Sequence, residues 1–132
     1  MPEYQPMAHI ESRDPMVRAY LECAEWCGLM EEDREALELS VFPKWTIQTE
    51  LNAAAICDMM REDVQSHFSK CYREEERIGR DLWLTRNRHG AGFWDGGWPE
   101  PFATEATKWS HAWGDAYVTF DPESETLEII EG

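Results

Sequence analysis

Positive charge is what this sequence most lacks. Twelve Lys and Arg stand against 27 Asp and Glu, a formal net charge of -15 with a pI near 4.5. Nucleic acid repels so acidic a chain unless a basic patch is segregated, so nonspecific nucleic-acid binding is not expected. No apolar run approaches the roughly 20 residues that a bilayer-spanning helix needs, so no membrane is expected either. The opening stretch, Met1 to Ser12, has neither a positive region nor an apolar segment of the secretory kind, and a cytoplasmic location is expected. Also absent are G-x-S-x-G, H-E-x-x-H, a P-loop and a G-x-G-x-x-G after a strand, which removes the commonest routes to an enzyme. The four cysteines (Cys23, Cys27, Cys57, Cys71) include no C-x-x-C pair. His67 and Cys71 are four apart, but free cysteine is among the most buried residue types. Reduced thiols, no metal and no cofactor are the expectation.

What is present is enough for one domain. At 132 residues and 15.4 kDa the chain reads as a single domain, 1–132, with 1–13 as an extended arm. Asp14-Pro15 supplies an N-cap and a proline for the first helical position, and Met16, Tyr20, Cys23 and Cys27 follow at helical spacing until Gly28. Residues 29–45 read as an acid-rich connector with one amphipathic turn, Leu37 to Leu39, closed by Pro43. A longer helix is expected from Thr46 or Thr49 to about Tyr72. Leu51, Ile56, Met59, Met60, Val64 and Phe68 are placed on one broad apolar face, with Asn52, Arg61, Glu62 and Gln65 mostly opposite.

After Gly79 the period changes from helical to alternating. Leu82 to Thr85 then reads as a strand and Ala91 to Trp94 as its return. Past the Gly96–Pro101 connector, a third helix is expected over Phe102–Trp113, with Phe102, Ala106, Trp109 and Trp113 on its core face. Asp115–Phe120 and Thr126–Ile130 form a closing hairpin around Asp121–Ser124. The fold class is therefore α+β: two N-terminal helices, then β-hairpin, helix and β-hairpin, an antiparallel sheet covered by helices on one side.

The densest chemistry lies in Asp81–Asp95, D-L-W-L-T-R-N-R-H-G-A-G-F-W-D. As a hairpin tip it groups Arg86, Asn87, Arg88, His89 and Asp95 on a base of Trp83 and Trp94. The arginines offer donor forks for an anion, His89 titrates near neutrality and Asp95 is placed to orient it. Two readings stay open. The cluster holds a small ligand, a nucleotide or a nucleic-acid end, or it is an internal network in which carboxylates neutralise the arginines and polar side chains satisfy the turn. A metal-free enzyme using His89 and Asp95 is a third possibility.

The same string resembles G-H-D-F-W-L-T-R-N-G-H-G-A-G-F-W-D, carried by a family of small bacteriophage and mobile-element proteins. Tyr20-Leu21-Glu22-Cys23-Ala24 is similar to that family's Y-x-E-C-A. The resemblance implies a mobile-element origin and a bacterial host, and brings no reaction with it. Joined to the acidic composition, it gives the leading expectation. This is a non-enzymatic accessory protein binding a host or element protein of basic surface, in the manner of an anti-defence protein or a DNA mimic.

Overall fold

A computed structural model describes residues 5–67, 74–88, 92–95 and 97–131, and the backbone alone at 64–67. The expected continuation of the longer helix past His67, with Phe68 and Cys71, and the expected hairpin tip at His89, Gly90 and Ala91 lie outside the described residues. So do the side chains of Val64, Gln65 and His67.

The chain is α+β: helices α1 (Pro15–Gly28) and α2 (Glu31–Glu38), strand β1 (Lys44–Trp45), helices α3 (Ile47–His67), α4 (Glu75–Arg86) and α5 (Phe102–Ala112), then strands β2 (Ala116–Asp121) and β3 (Thr126–Glu131). The sheet order is β1-β3-β2. It is mixed rather than purely antiparallel, because β1 pairs parallel with β3 while β2 and β3 form the expected hairpin.

Helix α1 begins as its sequence dictates. The Asp14 carboxylate accepts from the Met16 amide at 2.9 Å, and Pro15 follows at the first position. Its stripe of Met16, Val17, Tyr20, Leu21, Cys23 and Ala24 is buried, mainly against α4. That pairing corrects the expected first hairpin. Glu75–Arg86 is one helix, and Ile78, Leu82 and Arg86, four apart, are its buried face. Gly79 is not a break between a helix and a strand. A Cβ there would run into the carbonyl oxygen of Met16, so glycine is what lets α4 press onto the backbone of α1.

Other expectations are revised by packing. On α3 the buried apolar residues are Ala53, Ile56, Cys57 and Met60, whereas Leu51 and Met59 are exposed. Arg61 does not face solvent alone: it binds Asp14 at 2.7 Å and Glu75 at 2.6 Å, tying α3 to the starts of α1 and α4. On α5 the core face is Phe102, Ala103, Ala106 and Ser110. Trp109 is half-buried and Trp113 exposed, their rings meeting edge-on at 5.7 Å. The connector 29–45 contains a helix and a strand, and so is not irregular throughout.

The described part of the arm is docked rather than free. Glu25, buried on α1, accepts the amides of Met7 and Ala8, each at 2.9 Å. Glu50 on α3 accepts those of Glu11 and Ser12. His9 pairs in parallel with Lys44, its amide donating to the Pro43 carbonyl at 2.8 Å and its carbonyl accepting from Trp45. That closes the β1 edge of the sheet. On the β2 edge, Asn87 Oδ1 accepts from the Ala116 amide, Asp33 from that of Phe120, and Leu29 bridges Val118. With both edges met by other parts of the chain, the sheet offers no long free edge for strand addition.

Candidate functional site

The string Asp81–Asp95 folds inward at its first half. Arg86 is fully buried. Its Nε donates to the Gly114 carbonyl at 2.9 Å and its Nη1 to the Tyr20 hydroxyl at 2.9 Å. Nη2 reaches the Trp113 carbonyl at 3.2 Å and Glu131 Oε1 at 2.6 Å. One guanidinium thus joins the end of α4 to α1, to the α5–β2 turn and to the end of β3. Burial pushes the Tyr20 phenol up to about 12, against the pull of the neighbouring Arg86. Asn87 has a second joining role: its Nδ2 donates to the Trp83 carbonyl at 3.0 Å while its Oδ1 takes the Ala116 amide. Trp83 is sealed in the core, edge-on to Tyr20 at 5.5 Å.

The expected exposed polar tip is corrected accordingly. Trp83 and Arg86 are inaccessible to a ligand, and Asn87 is committed to the backbone. Arg88, Trp94 and Asp95 do reach the surface. Asp95 Oδ1 accepts from the Gly92 amide at 2.9 Å, and the Trp94 ring lies 6.4 Å from that of His111. Nearby, Thr85 Oγ1 accepts from the Phe93 amide at 3.0 Å, and Trp98 Nε1 donates to Asp81 at 2.6 Å. Burial holds the Asp81 carboxyl above its usual range despite that donor. Phe93, Trp98 and Phe102 complete an aromatic cluster with centroids 5.3–5.8 Å apart, capped by Arg77 over Trp98 at 4.1 Å. These contacts fit the internal-network reading of the motif.

The thiols are free at Cys23, Cys27 and Cys57. Cys23 and Cys27, one turn apart on α1, are hydrogen-bonded to each other: the bond to Cys27 and burial push the Cys23 thiol up, while the bond to Cys23 brings Cys27 down to about 7 with help from Arg34. Cys27 nevertheless lies at the carbonyl end of α1, where the helix dipole opposes a thiolate. No group of three or more His, Cys, Asp or Glu is placed to hold a metal ion among the described residues.

The surface feature that sequence reasoning missed is apolar. Leu39, Val41, Phe42 and Ile47 are 86%, 75%, 76% and 78% exposed. Leu51, also exposed, shares the face of α3 on which Ile47 lies. The loop is held in place. Glu125 Oε1 accepts from Ser40 Oγ at 2.5 Å, from the Val41 amide at 2.8 Å and from the Phe42 amide at 3.3 Å. Those bonds hold the Glu125 carboxyl below its usual range. Glu125 adopts φ +57°, a conformation that costs a non-glycine residue of order 1–3 kcal/mol in general. The signal was legible as L-S-V-F-P, an apolar run inside an acidic connector, but its exposure was not.

No family model, no curated protein and no solved structure matches this chain. No helix among the described residues is long and apolar enough to cross a membrane.

Proposed function

We propose that this chain is a non-enzymatic protein-binding module, an accessory protein of a phage or mobile element. It engages a host or element protein through the apolar loop Leu39–Phe42 together with Ile47 and Leu51 of the first turns of α3. The carrying observation is the fixed exposure of the loop: its three large apolar side chains, like Ile47 at the start of α3, are at least three-quarters exposed, and the Glu125 carboxylate holds the backbone that presents Val41 and Phe42. Exposed apolar clusters set in polar surroundings are typical of interaction sites. A pre-ordered loop loses less entropy on binding than a mobile one. Acidic residues elsewhere give the chain its charge of -15, which favours a partner whose own apolar site is rimmed by Lys and Arg. The closed sheet edges argue for recognition by side chains rather than by an added strand.

Affinity capture from a bacterial host lysate, with wild type and a Leu39→Ser/Ile47→Ser variant run in parallel, tests this reading. A stoichiometric protein retained by wild type, lost from the variant and released by rising salt supports it. A partner retained equally by both proteins contradicts it.

A further inference from the structure

Beside the loop lies a second feature of different chemistry. The docked arm and the residues leading into β1 border an open recess of about 550 Å3. Pockets of this size lie in the range that takes small organic molecules. Ile10, Val41 and Phe42 give it apolar walls, and Arg18, Lys44 and His9 line it as well. In a chain with only 12 Lys and Arg, the described lining of this recess carries two of them with a histidine and no carboxylate.

The acids nearby leave much of that charge available. Glu11 meets His9 at 3.1 Å. Glu125 feels Lys44, but its Oε1 is committed to Ser40, Val41 and Phe42. Glu22, one turn along α1, shares the field of Arg18. Arg18 Nη1 donates to the carbonyls of Ile10 and Ser12, which fixes the guanidinium at the recess without neutralising it. Lys44 is exposed and has no salt-bridge partner among the described residues. Lysine on a short strand commonly serves only to protect a sheet edge. Here His9 already covers that edge, so Lys44 is spare for another use.

We propose that this recess binds a small amphiphilic anion, a carboxylate on an apolar stem, with the stem against Ile10, Val41 and Phe42 and the carboxylate at Lys44 and Arg18. A neutral amphiphile lacks the charge-assisted bonds, and a cationic one meets like charge. The site shares Val41 and Phe42 with the loop above, but its ligand is bound whether or not that loop engages a protein.

Titration calorimetry with decanoate, and with decanol as the neutral counterpart, tests the proposal on the full chain. Saturable one-to-one binding of decanoate is expected, with decanol weaker by about tenfold or more, as befits loss of a bond to a charged group. Lys44→Ala should weaken decanoate by a similar factor. Because Lys44 is exposed, that variant should fold, and an unchanged melting curve verifies it. Leu39→Ser/Ile47→Ser, altered outside the recess, should bind decanoate as wild type does even while losing a protein partner, so the two readings fail separately. Equal affinity for decanol and decanoate overturns the proposal, as does undiminished binding by Lys44→Ala. Absence of decanoate binding below its micelle concentration overturns it too.

Discussion

Arg86 and Glu125 use one device in opposite directions. Each is a charged side chain that gathers groups from a distant part of the chain: Arg86 collects the Trp113 and Gly114 carbonyls, and Glu125 collects the Val41 and Phe42 amides. Around Arg86 the gathered groups close over the charge, with Tyr20 and Trp83 completing a sealed hub. Around Glu125 the gathered loop turns its apolar side chains outward. Charge-rich sequence therefore became interior here, and apolar sequence became surface. What separates a staple from a display is which side of the gathered backbone meets water.

The largest effects should come from the hub. Arg86→Ala leaves the Tyr20 hydroxyl and the carbonyl groups without their donor, at about 1–3 kcal/mol for each partner left buried, while the half-exposed Glu131 can turn to water. Trp83→Ala removes a wholly buried indole at a similar cost of about 3–5 kcal/mol. Urea unfolding of either variant should show a midpoint far below wild type, and a midpoint near wild type would move the hub to the surface. Next comes Gly79→Ala. Alanine is better than glycine in a helix interior by about 1 kcal/mol, yet overpacking against Met16 should reverse the sign and destabilise by about 1–3 kcal/mol. A stabilised variant would mean that α1 and α4 stand further apart.

The loop should answer differently. Phe42→Ser, at an exposed position, should shift stability by no more than about 0.5 kcal/mol. A large shift would show that Phe42 packs against something it is not seen to touch. The smallest effect is a pH dependence. Glu125 is held below its ordinary range, so its hold on the loop is full above the unfolded-state pKa near 4.3 and fades as pH falls through the lower folded value. Amide exchange at Val41 and Phe42, corrected for intrinsic rate, should therefore rise relative to the core in acid. Glu125→Gln should show the faster exchange already at neutral pH. Protection that ignores both changes would remove Glu125 as the clamp.

Much of the fold was legible where local signals agree. The Asp14-Pro15 start of α1, the start of α3, the span of α5 and the β2–β3 hairpin follow from caps, periodicity and turn residues. Strand β1 was not legible, because two residues pairing with Thr126 and Leu127 far along the chain leave no local pattern. Helix α4 was obscured by Gly79, which serves a close helix contact but resembles a break. The buried face of α3 was misjudged because Ala53 and Cys57 allow close packing where Leu51 and Met59 do not. For the motif, residue types named the chemistry available but not its direction. Arg86 needed the Gly114 and Trp113 carbonyls and Glu131 to become a core residue, and none of these is adjacent in sequence. The apolar loop was visible as composition alone, since its exposure depends on Glu125, also remote.

Hydroxyl-radical footprinting of the intact protein, read by mass spectrometry at single residues, tests the contrast most directly. Phe42, Leu39 and Trp94 should oxidise rapidly, while Trp83 and Tyr20 stay protected until the protein unfolds. Rapid oxidation of Trp83 under native conditions, with Phe42 protected, would contradict both the sealed hub and the displayed loop.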